Sequence, residues 1–160
     1  MPSREFVLFT VLMGTLLTGC MTQVRRDEMQ IRERVFSIRD AIRAKEADGI
    51  VRWGTDDWSF TGPDGKSFDK LGYLVRVRGL FERTVSVDSL ETTLDTIEIR
   101  GSTATIEISQ LMERSERNEA TGKVEHLRLR YRERHEWMKA ADGWRVRSVR
   151  FIGIPERTLL

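Results

Sequence analysis

The stretch Tyr131–Phe151, YRERHEWMKAADGWRVRSVRF, constrains this chain most, because it reads as two long strands joined by the turn Ala140-Ala141-Asp142-Gly143. With Lys139 facing Trp144 across that turn, antiparallel pairing sets Trp137 opposite Val146, His135 opposite Ser148 and Glu133 opposite Arg150, all on one face. Arg132, Arg134, Glu136, Arg145 and Arg147 then occupy the other face. A ribbon with one aromatic face and one charged face must lay the first against a core, so the rest of the chain is placed around it.

A chain of 160 residues with 39% hydrophobic side chains can build one core of ordinary size. Its 27 basic and 25 acidic residues nearly cancel, which leaves little long-range attraction for nucleic acid, and no nucleic-acid partner is expected. The single cysteine, Cys20, excludes an internal disulfide framework and a thiolate-rich metal site.

The position of that cysteine explains it. Phe6–Leu17 is an apolar run too short for the roughly 20 residues of a spanning helix, which makes it a secretory leader. Leu17-Thr18-Gly19-Cys20 resembles the lipobox of bacterial lipoproteins: an aliphatic residue, two small ones, then the cysteine. The resemblance implies a signal peptide over 1–19, cleavage before Cys20, lipid attachment (diacylglyceryl and palmitate) to that residue and a short tether over 20–26. Met21 in place of Asp after the cysteine implies the outer membrane, with the domain facing the periplasm. An ordinary leader with an incidental cysteine is the alternative.

Asp27-Glu28-Met29-Gln30 has the form of a capping box, so a helix is expected to start there. Ile31, Val35, Ile38 and Ile42 form its apolar stripe. Glu46–Gly54 predicts a short second helix, and Asp57–Phe68 a small hairpin around Pro63-Asp64-Gly65. Asp69 can cap a third helix whose apolar side is Leu71, Leu74, Val75, Leu80 and Phe81. Beyond Thr84 the chemistry is that of strands: Val85–Arg100 with a bulge near Leu90, a second strand through Ala104, Ile106 and Ile108, a reversal over 115–123, then Val124–Lys139 and Trp144–Ile154. This predicts a four-stranded antiparallel meander ended by Pro155, with 156–160 as a tail.

Helices followed by a long-stranded sheet make an α+β chain. Ala47-Asp48-Gly49, Thr55-Asp56-Asp57-Trp58-Ser59-Phe60 leading into Pro63-Asp64-Gly65, and the ending His135-Glu136-Trp137 with Asp142-Gly143-Trp144-Arg145-Val146 together resemble the SnoaL-like branch of the nuclear transport factor 2-like superfamily. The resemblance covers 31–153 and implies one domain over 27–155. In that fold a strongly curved antiparallel sheet wraps about three helices into a cone with a pocket in its mouth, often dimerised through the sheet. The superfamily hosts isomerases, cyclases, dehydratases and non-catalytic members, so the fold does not supply the function.

On the core face of the opening hairpin, Glu133 and His135 sit about 6.5 Å apart, close enough to act on one small ligand as base and acid. Tyr131, Trp137, Ser148 and Arg150 are their expected pocket neighbours, with Trp58, Asp57 and Tyr73 from the earlier segments. The structural alternative is a satisfied polar patch, with Glu133 paired to Arg150 and His135 bonded to Ser148. His126 and His135 fall on opposite strand faces, which disfavours a shared metal site, and no phosphate loop or nucleophile motif suggests a cofactor. Arg128, Arg130, Arg132 and Arg134 share the outer face, either to meet an anionic surface or to be offset by acids of the adjacent strand. The leading expectation is a membrane-anchored, non-catalytic domain that binds a small apolar ligand or a partner protein; a pocket isomerase, cyclase or dehydratase is the alternative.

Overall fold

A computed structural model describes residues 4–160, with side chains from Gln23 onward; the side chains of the leader and of Cys20 lie outside those described. In chain order the elements are helices α1 (Arg4–Arg43) and α2 (Ala47–Val51), strands β1 (Gly54–Thr61) and β2 (Ser67–Asp69), helix α3 (Lys70–Arg83), then β3 (Thr84–Arg100), β4 (Thr103–Arg117), β5 (Val124–Ala140), β6 (Gly143–Phe151) and β7 (Glu156–Leu159). The α+β class, three helices and the long-stranded meander are as the sequence predicts.

Asp27 does not start a helix. It lies within α1, and its carboxylate accepts from Lys139 Nζ at 2.7 and 2.9 Å and from Gln23 Nε2 at 3.1 Å. Gln30, the expected other half of the capping box, accepts from the Trp144 backbone N–H at 3.2 Å. One turn further on, Arg34 donates to the Trp144 and Asp142 carbonyls. The polar residues that read as a cap therefore clamp α1 to the β5–β6 turn, and Gln23–Arg26, expected as tether, are helical.

The apolar stripe of α1 packs as its spacing requires: Ile31 and Val35 are buried with Trp58, Ile106, Ile108, Trp137, Trp144 and Val146 in one core. Helix α2 approaches α1 closely enough that a Cβ on Gly49 would lie 2.7 Å from Ala41 Cβ, so a glycine is required there. Asp69 caps α3 by accepting from Gly72 N–H at 2.8 Å. That helix turns Val77 inward and leaves Leu71 and Val75 exposed, so its apolar side is narrower than the composition implies.

The sheet runs in the order β2-β1-β6-β5-β4-β3, with β7 paired to β5. Every pairing is antiparallel except β1 with β6, which is parallel and joins the small hairpin to the meander. The expected tail is instead an edge strand: Leu127 pairs with Leu159 and Arg130 with Glu156. Register shifts along β3 and between β5 and β6 bend the sheet around the helices.

One shift changes the opening hairpin. Lys139 pairs with Trp144 and Trp137 with Val146, as the turn dictates. Beyond them Glu136 pairs with Ser148, His135 with Val149, Arg134 with Arg150 and Glu133 with Phe151, because Arg147 is an extra, bulged residue. A one-residue slip exchanges the two faces of a strand, so Val149 and Phe151 turn inward while Ser148 and Arg150 turn out. Burying two apolar side chains in place of a serine and an arginine favours the bulged register.

Candidate functional site

The concave face of the sheet is built by the inward rows of β4 and β5. On β4 these are Ala104, Ile106, Ile108, Gln110, Met112 and Arg114, and on β5 Leu127, Leu129, Tyr131, Glu133, His135 and Trp137. Pairing aligns them in layers: Trp137 with Ala104 at the closed end, then His135 with Ile106, Glu133 with Ile108, Tyr131 with Gln110, Leu129 with Met112 and Leu127 with Arg114. The layers through His135 are filled by core. Beyond them α3 stands away from the sheet and leaves a cavity of about 830 Å³.

The cavity wall is mostly apolar, with Phe60, Val77, Leu80, Phe81, Met112 and Leu129 among its lining residues. Aromatic rings brace it: Phe60 lies 4.7 Å from Tyr73 and 5.6 Å from Phe151, and Tyr131 lies 5.4 Å from Phe151. A space of this size and lining suits a drug-sized organic molecule.

A hydrogen-bonded chain runs along the inner end of the cavity. Tyr131 donates its hydroxyl to Gln110 Oε1 at 3.0 Å, Gln110 Nε2 donates to Glu133 Oε2 at 3.3 Å, and His135 Nε2 lies 3.1 Å from the same oxygen. With Glu133 ionised, Nε2 carries the His135 proton. Glu133 faces the cavity, whereas His135 is 3% exposed and stands behind it, its Nδ1 without a hydrogen-bond partner among the described residues. Burial and the Glu133 charge push the Tyr73 and Tyr131 phenols well above their ordinary range, so both stay protonated as donors.

Of the residues that the sequence marks for a site, Glu133, Tyr131 and Tyr73 line the cavity. The others do not. His135 is one layer behind, Trp58 and Trp137 are buried in the core, and Asp57 is an exposed carboxylate paired with Arg147 at 3.1 Å. Ser148 and Arg150 lie on the outer face because of the bulge, so neither the Glu133–Arg150 pair nor the His135–Ser148 bond forms. Gln110, Arg114, Phe60 and Phe151 are site residues that the sequence reading missed. The alternation from Ala104 to Ile108, carried two and six residues further, places Gln110 and Arg114 inward and is the signal that finds them.

The outer arginines are offset by acids of neighbouring strands: Arg128 pairs with Glu113 at 2.6 Å, Arg132 with Glu107 at 3.1 Å, and Arg134 with Glu107. His126 lies on this face, its Nδ1 2.9 Å from Ser115 Oγ and away from His135. Among the described residues no helix is long and apolar enough to cross a membrane.

No protein-family model matches the chain, and no curated protein matches it. Solved structures do. A conserved protein from Planctomyces limnophilus is similar with a TM-score of 0.70 at 18% identity, over 84% of this chain and 99% of that one. A nuclear transport factor 2-like superfamily protein from Salmonella enterica serovar Typhimurium gives 0.64 at 18% identity, over 83% and 94%. A ketosteroid isomerase-like protein from Erwinia carotovora gives 0.59 at 17% identity, over 81% and 93%. At such identities the likeness establishes the fold, which is the nuclear transport factor 2-like cone.

Proposed function

We propose that this protein binds one small, largely apolar molecule in the cone. The observation that carries the reading is the cavity of about 830 Å³, walled by apolar and aromatic side chains and closed at its inner end by Tyr131 and Glu133, which Gln110 ties together from behind. Such a site gains affinity from apolar burial and fixes orientation with a few polar groups. Native mass spectrometry of the protein purified from its own cells tests this. The expected spectrum holds a bound small-molecule mass that Leu129→Trp, which fills the cavity, abolishes. An unliganded wild type that also fails to take up an apolar dye counts against the reading.

A second reading is favoured by one geometric fact: Glu133 presents its carboxylate to the cavity with His135 and Gln110 behind it. That arrangement suits a general base oriented by the two groups that do not face the ligand. The ketosteroid isomerase-like name of one structural neighbour is in keeping with it. If the bound molecule is converted on incubation, Glu133→Gln should stop conversion and leave binding intact; loss of both would assign Glu133 to binding alone.

We also infer that the domain is held at the cell envelope through lipid on Cys20, a reading carried by Leu17-Thr18-Gly19-Cys20. Cys20→Ser should move the protein from the membrane fraction to the soluble one. Retention in membranes would overturn the anchor.

A further inference from the structure

Arg114 stands at the opposite end of the cavity from Glu133. The two lie on neighbouring strands of the same concave face, and Ile108, which pairs with Glu133, is six residues from Arg114 along β4. At 3.2–3.4 Å per residue the poles are separated by at most about 20 Å of strand. Between them the floor is Met112 and Leu129, and Val77, Leu80 and Phe81 of α3 lie over it. The cavity is therefore bipolar, with an acidic pole, an apolar middle and a basic pole.

Arg114 differs from the arginines of the outer face. Its side chain is 12% exposed, against 50% for Arg128 and Arg132. Its one ion-pair partner among the described residues is Glu116, at 2.7 Å, and Glu116 is shared with Arg157 at 2.9 Å. Nearby acids are engaged elsewhere: Glu113 by Arg128, and Asp88 by Ser86 and Ser115. Glu125 accepts from Asn118 Nδ2 at 2.6 Å and lies 4.0 Å from Arg157. Arg114 Nε is buried without a protein acceptor, although a guanidinium carries five donors. Arg76 also lines the cavity, whereas Arg83, at the same lining, is paired with Glu119 at 2.7 Å. A buried guanidinium with donors to spare, at the end of an apolar cavity, is a receptor for a planar anion.

We propose that the ligand of this cavity is an apolar carboxylic acid, its hydrocarbon body lying between α3 and the sheet and its carboxylate received by Arg114. The polarity fixes the orientation, since the anion is held away from Glu133, which takes a neutral donor or the apolar end. This rests on the reading of the cavity as a ligand site and deepens it.

Dodecanoate and dodecanol, each labelled with carbon-13 at C1, are titrated into the full chain and followed by NMR. Wild type is expected to bind dodecanoate about tenfold tighter than dodecanol, the worth of one charge-assisted contact. Arg114→Gln should erase that preference while keeping the dodecanol affinity. Equal affinities in wild type, or a preference unchanged in Arg114→Gln, overturn the role of Arg114 and leave the pocket reading standing. Failure of wild type to bind either probe overturns both. Should Arg114→Gln not fold, the wild-type complex still decides. A carboxylate on Arg114 has its protonation midpoint shifted below that of free dodecanoate, and a midpoint shifted upward overturns the proposal.

Discussion

Gly143→Ala is the sharpest perturbation of the clamp between α1 and the β5–β6 turn. Gly143 has φ +112°, a region that side-chain-bearing residues rarely adopt, and a Cβ there would lie 2.5 Å from Gln30 Nε2 and 2.8 Å from an Arg34 Nη. Both contacts are the ends of flexible side chains, so they can swing away, but only by leaving the Trp144 N–H and the Asp142 carbonyl. Backbone strain costs about 1–3 kcal/mol. Losing one neutral and one charged hydrogen bond adds about 1–3 kcal/mol. The sum, about 2–6 kcal/mol, corresponds to roughly 4–24 °C in Tm for a domain of this size. Gly101→Ala serves as control, because Gly101 also has positive φ, +62°, but an added Cβ meets nothing within 4 Å; its expected cost is about 1–2 kcal/mol. Thermal unfolding followed by circular dichroism measures both variants. A second comparison, Gly143→Ala in a Gln30→Ala background, should cost less than in wild type, since one displaced bond is already gone. Equal melting temperatures for the two alanine variants, or a cost independent of Gln30, would refute the clamp.

Two further outcomes follow from burial and charge. Asp27→Asn should cost about 1–2 kcal/mol at pH 7, discounted because Lys139 is 35% exposed. Burial disfavours the Asp27 carboxylate, but bonds from Lys139 and Gln23 outweigh it and hold its pKa below the ordinary 3.8. A lowered folded-state pKa contributes stability above the unfolded value and loses it as pH falls through the folded one, so the gap between wild type and Asp27→Asn should close below about pH 4. Urea unfolding at pH 7 and pH 3 reads it, and a gap that widens in acid would be incompatible with the clamp. Ile106→Ala, at a position with no exposed surface, should cost about 2–5 kcal/mol, while Leu71→Ala, 68% exposed, should stay within about 0.5 kcal/mol. Similar costs for both would contradict the assignment of the core to the sheet side of the helices.

Features set by local chemistry were legible in the sequence. The stripe Ile31, Val35, Ile38 states the buried face of α1, Asp69 states where α3 starts, and Pro63-Asp64-Gly65 states the small hairpin. Features set by distant partners were not. Asp27 has the chemistry of a cap, and only Lys139, 112 residues away, decides that it bonds to the hairpin instead. The parallel pairing of β1 with β6 has no turn to announce it, because β2, α3, β3, β4 and β5 lie between the two strands in the chain. β7 is four exposed residues whose strand character comes entirely from the open edge of β5. Half of the site was accessible by the same logic: Glu133, Tyr131 and Tyr73 follow from strand parity and helix position, and Gln110 and Arg114 follow from parity applied further along β4.

The bulge at Arg147 is the feature that decides what the cavity can do. In an unbulged ribbon Glu133 faces Arg150, and an ion pair between them would make the carboxylate a structural group with no spare affinity. The extra residue sends Arg150 to the outer face and brings Phe151 opposite Glu133 instead. Glu133 is then left with His135 and Gln110, which hold one of its oxygens from behind, while the carboxylate looks onto an apolar space. A carboxylate there interacts more strongly with a ligand's polar group than it would in water, because the wall of Phe60, Phe151 and Tyr73 lowers the local dielectric. The inserted residue that curves the sheet thus also removes the competing cation. The bend between β5 and β6 and the polarity of the cavity's inner end have a common origin in that one residue.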